Sequence, residues 1–346
     1  PTSRLLRSAG LTLDSFLLRG AELGATFRAS EQGAAGTVYH TAGGAVPLGS
    51  RLPVVATLLD LAPWELPERY AKSQAARFGH RLRARVLRDA TRLIVTSRAT
   101  GESARRRIQI RPDRIAVIPL AVDEVFSAVS PADARVALVR RRFVLPERYL
   151  VFAGRYDARK DLATLFSALR ALRNQAPPGA SGAVPWPPLV VLAGAPSDDS
   201  DSSALRRAVE RRGVADLVRL VPRLEPGELA SLEAGARAFV FPALSEGTGL
   251  AALEALAVGT PVVASKAGPL PEIVGAAGIL VEPRDPDRLA AALRAIWADE
   301  ALHVQLARAA GERARGPRRT WHDVAGETRR VYAAALGERC RGHSQG

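Results

Sequence analysis

Residues 236–265 read ARAFVFPALSEGTGLAALEALAVGTPVVAS, and this stretch decides the fold. Its two ends, 236–244 and 260–265, are short apolar runs rich in Phe and Val, the pattern of buried strands. Between them come the loop Ser245-Glu246-Gly247-Thr248-Gly249, a helix from about Leu250 to Val258, and Gly259 as its terminator. Strand, loop, helix and strand in this order form the repeat of a parallel α/β sheet. A glycine-bearing loop feeding a helix N-terminus exposes free N–H groups at the positive end of the helix dipole, which is an anion site.

Glu254 is the awkward residue of that helix. Its neighbours at i±3 and i±4 are Leu250, Ala251, Ala257 and Val258, none of which pairs with a charge. Buried carboxylates are rare without hydrogen-bond partners. Either backbone donors from elsewhere satisfy Glu254, or it awaits a ligand with hydroxyls. GTGLAA also fits the loose fingerprint G-x-G-x-x-A of dinucleotide sites. Against a nicotinamide cofactor, Pro242 and Ser245-Glu246 separate the strand from the first glycine, and Lys266 stands where an acidic residue belongs.

The same alternation runs along the chain, whose 346 residues suffice for two domains with full cores. Strands are expected at 37–42, 53–60, 91–97 and 114–120, then at 149–154, 188–194, 217–221 and 278–283. Helices are expected over 68–90 and 161–173. Residues 121–146 look irregular and are taken as the inter-domain connection. The expected division is 1–145, 146–319 and a C-terminal amphipathic helix in 320–346 that packs back toward the first domain, with Trp321, Val324, Val331 and Tyr332 near one face. Two doubly wound α/β domains place a cleft at the carboxyl ends of their strands.

Composition narrows the function. Mean hydropathy is near zero, no apolar run approaches the roughly 20 residues of a membrane span, and no signal peptide is visible. The single cysteine, Cys340, excludes an internal disulfide, and five histidines show no metal-ligand spacing. These features imply a cytoplasmic protein, free or peripheral at the inner membrane face. The net charge of +14 comes from arginine. It reflects either composition alone or attraction to an anionic surface, for which the run from Arg77 to Arg92, RFGHRLRARVLRDATR, is the candidate membrane contact. No RNA-binding signature or helix-turn-helix pattern points to nucleic acid. The sequence has no methionine and begins at Pro1 without a clear first strand, as expected of a processed chain or of one missing an N-terminal βα unit.

FPALSEGTGLAALEALAVGTPVVASKAGPLPEIV (241–274) resembles the donor-binding signature of glycosyltransferase family 4, and FAGRYDARKDLATLFSAL (152–169) its G-R-x-x-x-x-K segment. HTAGGAVP, PVVATLLDLAP and VTSRATGESARRR resemble the core of its first domain, and RIAVIPLAVDEVF its route into the linker. GILVEPRDPDRLAAAL and the TWHDVAGETRRVYAAAL helix fit its C-terminal end. The resemblance implies the GT-B fold, two Rossmann-like domains facing a central cleft.

It also implies roles. Arg155 and Lys160 bind the donor diphosphate, Glu246 faces the hydroxyls of the transferred sugar, and Glu254 accepts hydrogen bonds from the ribose. Gly154, Gly247, Thr248, Gly249 and Leu250 complete the donor side. A nucleotide-sugar loses its nucleoside diphosphate as an acceptor hydroxyl, on a saccharide or lipid-linked molecule, attacks. Charge building on the leaving phosphate is met by Arg155, Lys160 and the helix N-terminus. Family members retain anomeric configuration and generally need neither metal nor cofactor. A mannose or glucose type of donor is expected. Read as a glycosidase pair, Glu246 and Glu254 would need to lie ~5–10 Å apart, whereas eight residues of pure helix span about 12 Å, so binding and orientation fit better than hydrolysis.

The chain departs from the family pattern in places. Leu59 stands where a V-H-D-L histidine is common, with Asp60 retained. Asp60 and His40 remain as acceptor-side candidates, although a lone histidine at a strand end is often structural. SEGTGLA replaces the usual S-E-G-F-G-L-P, which places Thr248 and Ala251 near the donor sugar, and the glycine-rich loop of the first domain is not recognisable. Two alternatives to transfer follow: a GT-B domain that binds a nucleotide-sugar or a partner subunit without turnover, and a sugar-nucleotide epimerase.

Overall fold

The structure is a computed structural model that describes residues 36–42, 46–47, 49–178, 185–195 and 199–343. The expectations about the chain's start and its first strand fall on residues outside this set. The chain forms two units, one from the residues up to Leu120 together with those from Arg319 onward, the other Ala121–Arg318.

In the first unit, β1 (Tyr39–Ala42), β2 (Val54–Leu58), β3 (Arg92–Val95) and β4 (Ile115–Val117) pair in parallel in that order. Alternation sorts their side chains onto two faces. Val54, Ala56, Leu58, Leu93 and Val95 pack with Val86 and Leu87 of helix α1 (Gln74–Asp89) and with Ala104 and Ile108 of α2 (Arg98–Ile108). Val55 and Ile94 face the other way, onto Val331 and Ala335 of the last helix. Ser73 and Ser97 start α1 and α2 by accepting from Ala76 N and Thr100 N. The expected helix over 68–90 is therefore interrupted: a turn at Pro67–Tyr70 precedes the Ser73 cap. Among the described strands the order never reverses, so the expected double winding is seen here only as helices on both sheet faces.

The second unit contains β5 (Leu150–Ala153), β6 (Val190–Ala195), β7 (Val218–Pro222), β8 (Ala238–Phe241), β9 (Val262–Ser265) and β10 (Gly278–Val281), all parallel, in the order β10-β9-β8-β5-β6-β7. Every residue of β5, β8 and β9 is buried, as expected of strands covered on both faces. From β5 the chain winds outward through β6 and β7, then returns to β5's other side and continues through β8 to β10. The order thus reverses between β5 and β8, and a crevice at the carboxyl ends of strands opens at such a reversal.

Besides short helical turns such as Ala62–Glu65 and Leu270–Val274, the chain contains, in order, α3 (Glu124–Ser127), α4 (Ala134–Arg142), α5 (Leu162–Arg173), α6 (Asp199–Arg211), α7 (Pro226–Ala234), α8 (Leu250–Ala257), α9 (Pro286–Ala298), α10 (Glu300–Arg315) and α11 (Trp321–His343). Two boundaries differ from expectation. Residues 121–146 are not a bare connection closing the first domain at 145. Phe126 and Val129, with Val136 of α4, pack on Ala230 and Ala234 of α7, so this segment belongs to the second unit. At the other end the return to the first unit begins at Arg319, which donates to Pro119 O at 2.6 Å. There Thr320 and Asp323 cap α11 reciprocally, Thr320 N donating to Asp323 at 2.8 Å and Asp323 N to Thr320 Oγ1 at 3.2 Å.

Candidate active site

Two loops of the second unit flank the reversal, one leaving β5 and one leaving β8. Gly154 ends β5 at φ 137°, a region open to glycine. Arg155 follows, exposed, with no hydrogen bond or ion pair among the described residues. Asp157 then accepts from Arg159 N and caps a single turn, Ala158–Lys160. Asp161, in the left-handed region at φ 48°, redirects the chain into α5. That geometry turns Lys160 inward. It is 6% exposed, with Nζ 2.6 Å from Glu246 Oε2 and 4.2 Å from the centre of the Phe241 ring.

The β8 loop answers from the other side. Leu244 N donates to Arg159 O at 2.7 Å, a direct backbone tie between the loops. Glu246 Oε1 accepts from Gly249 N at 3.1 Å and from Thr248 N at 3.4 Å. Gly249 sits at φ 72°, and a Cβ there would lie 2.3 Å from Ile273 Cδ1. Gly268, after β9, is tighter still: at φ 51°, its Cβ would fall 1.9 Å from Glu246 O. Helix α8 then starts at Leu250 without a side-chain cap, leaving its first N–H groups and dipole end for an anion.

Charge on these groups follows from their surroundings. Burial works to raise the Glu246 carboxyl, but Lys160, Arg159 at 3.7 Å and the Gly249 N–H outweigh it and hold it below the usual carboxylate range. Burial pulls the Lys160 ammonium down, and the Glu246 charge opposes it. Glu254 is half-buried on α8 and its carboxylate has no hydrogen-bond partner among the described residues. Burial, reinforced by the Asp123 charge, pushes it up to about 7.

Most residues expected on the donor side gather here: Gly154, Arg155, Lys160, Glu246, Gly247, Thr248, Gly249 and Leu250 belong to the two loops and the start of α8, and Glu254 lies one turn further along. Lys160 and Glu246, however, face each other, and Arg155 is the cation of these loops without a partner among the described residues. Two further residues carry weight. Arg159 joins Asp157 at 3.0 Å to the Glu246 side; the clustering of charges in YDARKD was its only signal. Glu233 on α7 is fully buried, neither carboxylate oxygen has a hydrogen-bond partner among the described residues, and burial with the nearby Glu254 charge pushes it well up. SLEAGA offered the same signal as LAALEALAV, a lone glutamate in an Ala/Leu helix.

The acceptor-side candidates belong to the first unit. His40 is held at both ring nitrogens, Nδ1 2.6 Å from Tyr332 Oη and Nε2 2.8 Å from Thr57 Oγ1, between β1, β2 and α11. Asp60 lies just past the carboxyl end of β2 and accepts from Ala62 N at 3.1 Å. Beside it Leu59 is 43% exposed. No group of three His, Cys, Asp or Glu converges as a metal-ligand set among the described residues.

Two parallel-sheet α/β units, one with a helix N-terminus without a side-chain cap and a cationic loop at its switch point, define the GT-B class of glycosyltransferase folds. The sucrose-phosphate synthase of Thermosynechococcus elongatus superposes with a TM-score of 0.68 at 24% identity, covering 90% of this chain and 77% of that one. Anabaena HepE, solved in complex with UDP and glucose, superposes with a TM-score of 0.64 at 21% identity, covering 82% and 71%. The chain belongs to the glycosyl transferases group 1 family, whose model matches residues 139–315, with a glycosyl transferase 4-like domain over 17–121. A D-inositol 3-phosphate glycosyltransferase of Streptomyces avermitilis is 34% identical over 255 residues, 71% of this chain and 52% of the relative. The chain thus spans about half the length of that relative.

Proposed function

We propose that this chain is a retaining glycosyltransferase that moves a hexose of the mannose or glucose type from a nucleotide-sugar to a saccharide or lipid-linked acceptor. The observation that carries the proposal is the pair of loops at the β5/β8 reversal. They set the unpaired Arg155 and the uncapped start of α8 at the carboxyl edge of the sheet, with Glu254 unpaired one turn along the helix. A diphosphate meets the cation and the helix end, and the ribose hydroxyls donate to Glu254. The Lys160–Glu246 pair holds the loops in register. The acceptor hydroxyl attacks the anomeric carbon on the face from which the diphosphate leaves; the bond to the diphosphate breaks, its electron pair passes to the phosphate oxygen and the hydroxyl proton follows to that oxygen, and Arg155 and the α8 N–H groups meet the charge that develops there. The UDP in the HepE structure supports a uridine donor, and the name of the Streptomyces relative adds a phosphorylated polyol to the acceptor classes worth testing.

One observation favours a second possibility, binding without turnover. The carboxyl end of β2 presents Leu59, an exposed apolar side chain with no proton to exchange. A panel of UDP-, GDP- and ADP-sugars separates the two, with binding and nucleoside-diphosphate release both measured in the presence of saccharide, lipid-linked and inositol-phosphate acceptors. Release that depends on acceptor supports transfer. Binding without release supports the second possibility, and no binding of any nucleotide-sugar sinks both.

A further inference from the structure

At the amino ends of β5, β8 and β9 the second unit holds a cavity of about 680 Å³. Arg237 and Pro261, which line it, stand one residue before β8 and β9. The loops around Lys160 and Glu246 leave the opposite, carboxyl ends. The four residues of β8 alone set the two places ~13 Å apart. A volume of this size takes a small molecule.

Arg140, Glu147, Arg148, Arg237 and His303 put charge on its walls. Two of these arginines are committed to the fold. Arg237 Nε donates to Ile296 O at 2.9 Å and Arg148 to Trp297 O at 3.0 Å, which closes the last turn of α9, and both also reach Glu300.

Arg140 is placed differently. Helix α4 ends in three arginines, and cations there complement the helix dipole. Arg141 and Arg142 do so in water, exposed, whereas Arg140 is half-buried. Its Nε is buried without a hydrogen-bond partner, and it forms no ion pair among the described residues. The Tyr149 hydroxyl, close enough to feel the Arg140 charge, already donates to Leu232 O at 2.7 Å. His303 Nδ1 is a second buried atom without a hydrogen-bond partner, 3.7 Å from Glu300. Glu147 is exposed and makes no hydrogen bond or ion pair among the described residues. A guanidinium and a carboxylate thus line one cavity without pairing with each other. Buried polar atoms left unmatched are costly, and a ligand that carries both an anionic and a hydrogen-donating group completes them.

We propose that this cavity binds a small phosphomonoester that carries hydroxyl groups, with its phosphate on Arg140 and His303 and a hydroxyl on Glu147. A guanidinium fork matches phosphate oxygens in pairs, and an ionised carboxylate accepts from hydroxyls. An unphosphorylated sugar would leave Arg140 unmatched, and inorganic phosphate would leave Glu147 so. The proposal goes beyond the transferase assignment and does not depend on it.

The test is calorimetric titration of the whole chain with mannose 6-phosphate, inorganic phosphate and mannose, each with UDP in excess to occupy the nucleotide site. Mannose 6-phosphate should bind at least about fivefold more tightly than inorganic phosphate, and mannose should not bind. Arg140→Ala weakens mannose 6-phosphate at least about tenfold. Glu147→Ala weakens it too but leaves inorganic phosphate unchanged. Ala307, one turn along α10 from His303, also lines the cavity, and Ala307→Leu narrows the space without altering any charge, so it lowers the affinity as well. Arg155→Ala leaves the affinity unchanged, which separates this site from the nucleotide site. Thermal unfolding midpoints show which variants are folded, and Ala307→Leu carries the decision where Arg140→Ala is not. No binding of mannose 6-phosphate, equal affinity for it and inorganic phosphate, or variants at 140 and 307 that bind like the wild type would overturn the proposal. So would binding that UDP displaces or that Arg155→Ala abolishes, which would put the ligand in the nucleotide site. If the wild type binds mannose 6-phosphate but not UDP, the cavity proposal stands and the transferase proposal falls.

Discussion

Lys160 Nζ lies 2.6 Å from Glu246 Oε2, and through this contact the loop leaving β5 is fastened to the loop leaving β8 across the point where the strand order reverses. The other Glu246 oxygen is taken by Gly249 N and Thr248 N. The carboxylate therefore aligns the start of α8.

Breaking this pair from one side should be costly. In Lys160→Met, Glu246 stays buried with only Arg159, 3.7 Å away, as a counter-charge, and the second unit loses up to about 3–5 kcal/mol. Adding Glu246→Leu removes the buried charge and should restore part of that, since Gly249 N and Thr248 N lose their acceptor. Urea unfolding of the single and double variants checks both. The pH dependence has a definite sign. Glu246 is held below its ordinary 4.5 in the fold, so its contribution is present above pH 4.5 and disappears as pH falls through the lowered value. The double variant should lack this acid-side loss.

Arg155→Ala should separate binding from stability. The side chain is exposed and unpaired among the described residues, so the unfolding midpoint should barely move, by about 0.5 kcal/mol or less. If it meets the diphosphate, UDP affinity should fall by about 1.5–3 kcal/mol, roughly ten- to a hundredfold, while uridine affinity stays the same. Calorimetric titration with the two ligands is the measurement. Equal losses for UDP and uridine would place Arg155 away from the phosphates.

The sheet was legible in the sequence because buried parallel strands leave unmistakable apolar runs, such as LVFA at β5 and VVAS at β9. The loops around Glu246 were legible too, since glycine at 247 and 249 and an Ala/Leu helix after them leave little else to form. The pairing of Lys160 with Glu246 was not, because it joins residues far apart in sequence and depends on which way the 158–160 turn points its side chains. The crowding of Gly268 against Glu246 O is also a tertiary fact; nothing around KAG announces it. Helix α4 was hidden for a different reason. Its arginines at 140–142 mask Val136 and Val139, whose spacing is the helical signal.

Glu254 should make nucleotide binding pH-dependent. Its carboxyl is raised to about 7 by burial and the Asp123 charge, so near pH 6 most of it is protonated and near pH 8 most is ionised. Ribose hydroxyls donate best to the ionised form. UDP affinity should therefore rise from pH 6 to pH 8 and level off, and Glu254→Gln should both weaken binding and flatten the profile. The stability of the unliganded protein moves the opposite way. A carboxyl with a raised folded value favours the fold below its unfolded 4.5 and loses that advantage as pH rises through 7, and Gln removes the drift. Affinity measured at five or six pH values on both proteins decides it; a flat wild-type profile would remove Glu254 from the ribose.

Glu233→Leu should stabilise the protein. The wild-type carboxyl is fully buried on α7 with both oxygens unpartnered among the described residues, a desolvation cost of about 1–3 kcal/mol. Leucine is close in volume and carries no polar atom, so replacement recovers much of that cost. The gain should grow with pH. The folded value of Glu233 lies well above 4.5, so the wild type loses stability as the unfolded chain ionises and the folded one resists. The leucine variant has no proton to release. Thermal unfolding of both proteins between pH 5 and pH 9 gives the answer. A variant less stable than wild type across that range would mean that Glu233 has a partner in solution.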